Sequence, residues 1–400
     1  MSLDLTRVAS QVGGLLERLR ESLDDRGRNL RFALETAHRE TEQPDKLKKK
    51  INASMTSWLT AGITEGIDFH YPCPGLPDNF TVVATDGSHI DVDRHRSARC
   101  YLINIGSVLL RYGVNPEAVL ESIPNLCASE EDLVYTEPVT RRETPVEGTL
   151  LGLKRSVEEC RRLAELAEIQ PEGSAVQALV DGTLIQWGFS TENYPAFVVE
   201  KLLDRGYLDC LDRMNKANER RRVALASYIS LPRGNDVTNA LKIAVCPNNP
   251  LDADKHCKDC RTRECENLTG LRDRDVFGGI LGEGERSSLF FTNSRIVRER
   301  YREHAIYFYY LNVNEEIARV EIPKWVADDE ELLNLTHALA LDQCRRGQGY
   351  PVALAEAHEQ AVVTGSDRES FWQFVEMSLT EEKMPTFTSA KSRSKNTRWV

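Results

Sequence analysis

Two carboxylates stand at the ends of short apolar runs about one hundred residues apart. The first run is Thr81-Val82-Val83-Ala84-Thr85-Asp86-Gly87-Ser88, and the second is Ala178-Leu179-Val180-Asp181-Gly182-Thr183-Leu184. Apolar, β-branched runs of this length read as buried strands, and the glycine after each aspartate predicts a sharp turn at the strand end. A carboxylate held on such a rigid end is well placed to ligate a metal. One Asp-Gly alone is a common turn dipeptide; repetition of the whole pattern is what points to chemistry. Glu158, Glu159 and Glu168 lie on a helical stretch between the two runs, and His358 lies on a late one. Three carboxylates and an imidazole make a hard, oxygen-rich site suited to Mg²⁺ or Mn²⁺, with the imidazole favouring Mn²⁺. Such a site suits phosphodiester hydrolysis. One ion lowers the pKa of an attacking water, and a pair about 3.5–4 Å apart stabilises the charge on the phosphoryl group and the leaving oxygen. His358 could shuttle a proton instead of ligating, and taken alone it reads equally as a structural histidine on a helix.

A second group is softer. Cys246, Cys257, Cys260 and Cys265 are spaced C-x10-C-x2-C-x4-C in a stretch rich in Pro, Asp and Lys, with His256 beside Cys257. Four thiols at short spacing in a reducing compartment suit a structural Zn²⁺ or an iron–sulfur cluster. Zinc is favoured, because a small loop-rich insertion needs a staple. The bland alternative is four unlinked cysteines in a surface insertion. Cys73, Cys100, Cys127, Cys160, Cys210 and Cys344 are scattered and read as buried or incidental.

These side chains need elements to hold them. Leu5, Val8, Val12, Leu15, Leu16, Leu19 and Leu23 recur at helical spacing over residues 4–40, a stripe that must pack on the main domain or on a second subunit. Residues 41–50 read as a polar, basic connection and 51–60 as a short helix. Residues 99–112 read as a neighbouring strand or hairpin, and 115–145, with several prolines, as irregular connection. The clearest interior helix is 146–169, striped by Leu150, Leu153, Val157, Cys160, Ala164 and Ala167. Strands are expected at 221–230, 305–313 and 317–322, and helices at 326–344 and 352–363, the last carrying His358. This order indicates an α/β domain with a mixed sheet. The division expected is an N-terminal helical segment (1–70), a main domain (75–380) with a cysteine-rich insertion at about 244–286, and a basic tail (381–400).

Hydrophobic residues make up 41% of the 400, ample for a core, and the net charge is −11. That balance weakly opposes a free-standing nonspecific nucleic-acid binder. Basic charge is local: Lys46, Lys48, Lys49 and Lys50, and then Lys391, Arg393, Lys395 and Arg398. No run is long enough for a membrane span, and Met1-Ser2-Leu3-Asp4-Leu5 lacks the basic and apolar regions of a signal peptide, so a cytoplasmic protein is expected. No P-loop pattern occurs, so any motor must be a separate protein.

The segments around Asp86 and Asp181, the helix glutamate, and Gly349-Tyr350-Pro351-Val352-Ala353-Leu354-Ala355-Glu356-Ala357-His358, taken in order, resemble the NurA nuclease family over about residues 75–365. The most specific match is Tyr350-Pro351 with a histidine eight residues after the tyrosine, and Arg319-Val320-Glu321-Ile322-Pro323 also looks like the family. The resemblance implies an RNase H-like α/β fold, its mixed sheet flanked by helices. It implies Mn²⁺- or Mg²⁺-dependent hydrolysis of DNA phosphodiesters, as an exonuclease with single-strand endonuclease activity. It further implies DNA double-strand break end resection with a hexameric HerA-type ATPase, and a homodimer. Carried over residue by residue, Asp86, a helix glutamate, Asp181 and His358 would be metal-centred, and Tyr350 an active-site tyrosine. Glu159 is preferred among the glutamates, because Arg155-x-x-x-Glu159 resembles the family's pattern. The rival is a non-catalytic subunit that keeps the fold and binds DNA or an ATPase. The cysteine-rich insertion departs from the family.

Overall fold

Val82, Val83 and Ala84 are fully buried, as expected of a strand covered on both faces, which shows a continuous apolar run instead of alternation. In a computed structural model of the chain, residues 4–190 and 193–384 are described, without the side chains of residues 16–24. Leu16, Leu19 and Leu23 of the N-terminal stripe, and the basic residues from Lys391 to Arg398, therefore lie outside the described residues. The chain divides into two units, one formed by residues 74–228, 299–304 and 323–400, the other by residues 1–73, 229–298 and 305–322.

In the first unit the strand Phe80–Ile90 pairs antiparallel with Tyr101–Tyr112, which pairs antiparallel with Glu117–Cys127. On its other side Phe80–Ile90 runs parallel to Ala175–Asp181, which is parallel in turn to Arg222–Ile229. A three-stranded meander extended by two parallel strands, with helices on its flanks, is an α/β mixed sheet of the RNase H-like kind. Parallel pairing requires crossovers, supplied here by the helices Thr149–Glu168 and Leu208–Ala217. The Thr149–Glu168 helix buries Leu150, Leu153, Val157, Cys160 and Leu163. Thr85 Oγ1 donates to the Glu159 carbonyl at 3.0 Å, tying this helix to the central strand.

The helix Val352–Ala361 lies over the meander. Asn104 Nδ2 donates to the carbonyls of Gln360 and Ala361, and Ser88 Oγ also donates to that of Ala361. These side chains satisfy carbonyls that a helix end leaves without intrahelical partners. The contact is close because residue 106 is glycine: a Cβ there would sit 2.1 Å from the Ala357 carbonyl oxygen and 2.5 Å from the Ala361 nitrogen.

Three local expectations are corrected. The central strand does not end at Asp86; it continues four residues to Ile90, and Gly87 stays in the ladder opposite Ile105. Only at the second aspartate does the glycine turn: Gly182 has φ +81° and its N–H donates to the Tyr228 carbonyl at 3.0 Å. Residues 117–127 are not irregular but an edge strand, exposed at every residue except Cys127. A strand exposed on both faces carries no burial pattern, and Pro124 is tolerated at an edge. The second helix is Pro44–Ala53, earlier than expected, because Pro44 starts it and the Leu47/Ile51 pair buries one side among the lysines.

In the second unit the helix Leu5–Thr41 starts at Asp4, whose carboxylate accepts from the Thr6 and Arg7 amides. Ala33 and Ala37 join a core with Leu47, Ile51, Leu241, Phe277, Phe290, Phe308 and Tyr310, while Leu5, Val8, Val12 and Leu15 are exposed. Arg319 is buried between Asp236 at 2.8 Å and Glu321 at 2.9 Å, so the Arg319-Val320-Glu321 segment is tied up in a structural ion network. No described helix is long and apolar enough to cross a membrane.

The Gly106 contact yields a test of this packing. Because the clashing atoms are helix backbone, Gly106→Ala must push the Val352–Ala361 helix away. A loss of about 3 kcal/mol is expected in denaturant unfolding; unchanged stability would contradict the close approach.

Candidate active site

Asp86 projects from the middle of the central strand. Its Oδ1 accepts the Gly87 N–H at 2.7 Å, and its Oδ2 lies 2.7 Å from His358 Nδ1. Asp181 closes the neighbouring parallel strand, one step beyond the paired Thr85 and Val180. Its Oδ1 accepts the Tyr350 hydroxyl at 2.9 Å. The Tyr350 ring meets Tyr228 edge-on, with centroids 5.6 Å apart, and Tyr228 is itself the cross-strand partner of Asp181. Tyr350 thus fixes the second aspartate, as His358 does the first.

Glu159 enters from the helix. A Cβ on residue 87 would lie 2.4 Å from Glu159 Oε1 and 3.0 Å from Arg155 Cγ. Glycine at 87 is therefore required for close approach of the helix carboxylate, and not for a turn. Arg155 Nε lies 2.9 Å from Glu159 Oε1, and the Glu159 side chain is 15% exposed. Burial pushes the Glu159 carboxyl up to about 7; Arg155 opposes the shift, and the charges of Asp86 and Asp181 add to it. Partial burial, with the charge of Asp86, also raises the Asp181 carboxyl against the hydrogen bond from Tyr350. Burial and the adjacent Asp181 hold the Tyr350 hydroxyl protonated, well above the ordinary tyrosine range.

The other glutamates are engaged elsewhere. Glu158 pairs with Arg161, and Glu168 accepts from Arg213 Nε at 2.8 Å and Nη2 at 2.6 Å. That two-pronged bond holds the Glu168 carboxyl below its usual range. The structure thus brings Asp86, Glu159, Asp181, Tyr350 and His358 into one neighbourhood and leaves Glu158 and Glu168 outside it. No three ligand atoms of that neighbourhood lie within 4.8 Å of one another. Its donor set is nonetheless hard and oxygen-rich, and Arg155 does not offset the burial and mutual repulsion of the carboxylates. Chemically it fits a divalent cation.

Two features escaped sequence reasoning. The cradle at Gly87 was masked by the turn propensity of Asp-Gly, although the Arg155/Glu159 spacing of one helical turn was visible. Among the described residues, the one group of three ligand atoms within 4.8 Å is Asp212, Glu303 and His304. His304, buried, meets Asp212 at 2.9 Å; about ninety residues separate the two in the chain, and no spacing pattern joins them. Cys246, Cys257, Cys260 and Cys265, with His256, line one cavity of about 240 Å³.

No match is found among curated proteins. The chain does match the NurA domain over residues 80–363, a span that holds the whole five-stranded assembly and all five residues gathered around Asp86. With most of its length covered by that match, the chain belongs to the NurA family.

Proposed function

We propose that this protein is a divalent-metal-dependent nuclease that hydrolyses DNA phosphodiesters. NurA membership supports the coarse function, a nuclease acting in DNA repair. The observation that carries the metal reading is the seating of Glu159 over Gly87, which brings a third carboxylate within electrostatic reach of Asp86 and Asp181. Asp86, Glu159, Asp181 and His358 would hold Mn²⁺ or Mg²⁺.

Bound there, such an ion would lower the pKa of the attacking water and offset charge on the scissile phosphate. The chain's own residues prepare that site. The Gly87 N–H fixes one oxygen of Asp86, and the Tyr350 hydroxyl fixes one oxygen of Asp181, so each carboxylate keeps its orientation without metal. With Nδ1–H donated to Asp86, the His358 imidazole has its tautomer set and leaves Nε2 to ligate. Its side chain is 63% exposed, which leaves room for a nucleic-acid strand.

By family resemblance we assign exonuclease activity with some single-strand endonuclease activity, in end resection of double-strand breaks with a hexameric HerA-type ATPase. The net charge of −11 fits a division of labour in which the ATPase holds much of the phosphate backbone. A homodimer joined through the N-terminal helical segment (1–70) would cover the exposed Leu5, Val8, Val12 and Leu15. The proposed compartment is the cytoplasm. A non-catalytic subunit would need neither a crowded carboxylate cluster nor a tyrosine locked to one of its members.

Cleavage of end-labelled single- and double-stranded DNA with Mn²⁺, Mg²⁺ or EDTA tests the proposal. Asp86→Ala and Asp181→Ala should each abolish metal-dependent cleavage without lowering Tm. Tyr350→Phe should cost only about 10–100-fold, the range for a residue that orients a ligand. Wild-type turnover in either aspartate variant would overturn the assignment.

The raised Glu159 carboxyl gives a signed prediction for metal-free protein. Its folded value, about 7, lies above the ordinary 4.5, so the folded state holds that proton more tightly than the unfolded chain. Stability therefore grows as pH falls through 7 toward 4.5 and is lost as pH rises through 7. In EDTA, Glu159→Gln should raise stability at pH 8 by up to about 3 kcal/mol and leave it nearly unchanged at pH 5. Equal effects at both pH values in thermal unfolding would contradict the shift.

A further inference from the structure

We propose that Cys246, Cys257, Cys260 and Cys265 form a tetrathiolate zinc site, with His256 outside the ligand set as a neighbouring N–H donor. The inference does not depend on the nuclease reading.

Free cysteine is among the most buried residue types, and Cys100, Cys127, Cys160, Cys210 and Cys344 are buried accordingly. The four in the insertion differ: Cys257 is exposed, the other three are only partly covered, and all four line the same 240 Å³ cavity. Cys246 and Cys265 also touch the apolar core, but packing does not account for the exposed Cys257 or the partly covered Cys260. The segment between them has little regular structure of its own, a four-residue helix Ala253–His256 and a short turn of 3₁₀ helix at Glu264–Leu268. Its backbone is tied near its start, where Met55 N–H donates to the Leu251 carbonyl at 2.7 Å, Ala253 N–H donates to the Met55 carbonyl at 2.9 Å and Leu251 N–H donates to Ser54 Oγ at 3.1 Å. A metal staple is what such a segment lacks.

His256 also lines the cavity, so a Cys₃His set must be weighed against Cys₄. Its Nδ1 accepts the Asp252 backbone N–H at 3.1 Å. A neutral ring with Nδ1 engaged as acceptor carries its proton on Nε2, which leaves neither nitrogen a lone pair for zinc. The set is therefore Cys₄, and a Zn²⁺ with four thiolates carries a net charge of −2. Lys242 and Arg263 line the same cavity, and Lys50 Nζ donates to the Ala244 carbonyl at 3.0 Å and to that of Cys246. Asn248 Nδ2 lies 3.9 Å from Cys246 Sγ, and Thr262 Oγ1 lies 3.6 Å from Cys260 Sγ, the kind of outer partner that tunes thiolate ligands. Zinc–sulfur bonds of about 2.3 Å place tetrahedral sulfurs about 3.8 Å apart. No three of these sulfurs lie within 4.8 Å of one another, so loading draws the segment inward as the four thiols give their protons to solvent.

Metal analysis of the full-length chain, purified without chelator, should find one zinc per chain. His256→Gln should keep it, and Cys257→Ser or Cys260→Ser should lose it. Because misfolding of a serine variant would also lose the metal, Co²⁺ exchanged into the wild-type chain supplies the second measurement: sulfur-to-cobalt charge-transfer bands and intense tetrahedral bands, unchanged in His256→Gln. Four thiols that titrate freely in native protein with no bound metal would overturn the site. So would iron with acid-labile sulfide in place of zinc, or a cobalt spectrum that His256→Gln alters.

Discussion

A helix carboxylate is seated against a strand at the one residue that has no side chain to exclude it, and the candidate site depends on that contact. Glu159 approaches the backbone at Gly87 so closely that a single methyl group would displace it. In this position it lies within electrostatic reach of Asp86 and Asp181, whose like charges add to the cost of burial. The consequence is a carboxyl that holds its proton near neutrality while a paired arginine stands beside it. Burying a charge with incomplete compensation is unfavourable for folding, so the arrangement is better explained by what it binds than by what it stabilises. Perturbed groups gathered in one cleft are common at functional sites for this reason.

The rest of the first unit serves to hold that contact in register. Parallel pairing places Asp86 and Asp181 on adjacent strands at the same level. The Thr85 hydroxyl fixes the helix at the Glu159 carbonyl itself, so the carboxylate cannot slide along the strand. Gly106, the cross-strand partner of Asp86, lets the Val352–Ala361 helix settle on the meander and bring His358 to Asp86. Two glycines on adjacent strands thus admit two helices, one carrying Glu159 and the other His358. Tyr350, braced by Tyr228, completes it at Asp181.

Much of this was legible in the chain because buried strands and amphipathic helices leave strong periodic signals. The runs ending near Asp86 and Asp181, the 149–168 helix and the late histidine helix were all readable. What failed has physical causes. The strand Glu117–Cys127 is exposed along nearly its whole length, so no alternation marked it. Asp86-Gly87 and Asp181-Gly182 look alike in sequence, yet only Gly182 adopts a left-handed conformation, while Gly87 meets a helix that no local pattern reveals. Choosing Glu159 over its neighbours rested on family resemblance; the Glu158–Arg161 pair is a local one on the same helix, whereas the Arg213 partner of Glu168 depends on tertiary geometry.

The central claim is that three carboxylates form one cation site and that the buried one keeps a proton until the cation arrives. Calorimetric titration of the protein with Mn²⁺ at pH 6.5, repeated in buffers of different ionisation enthalpy, counts the protons exchanged on binding. The account predicts release of most of one proton in the wild type and almost none in Glu159→Gln. Binding of Mn²⁺ with no proton release in the wild type would contradict it.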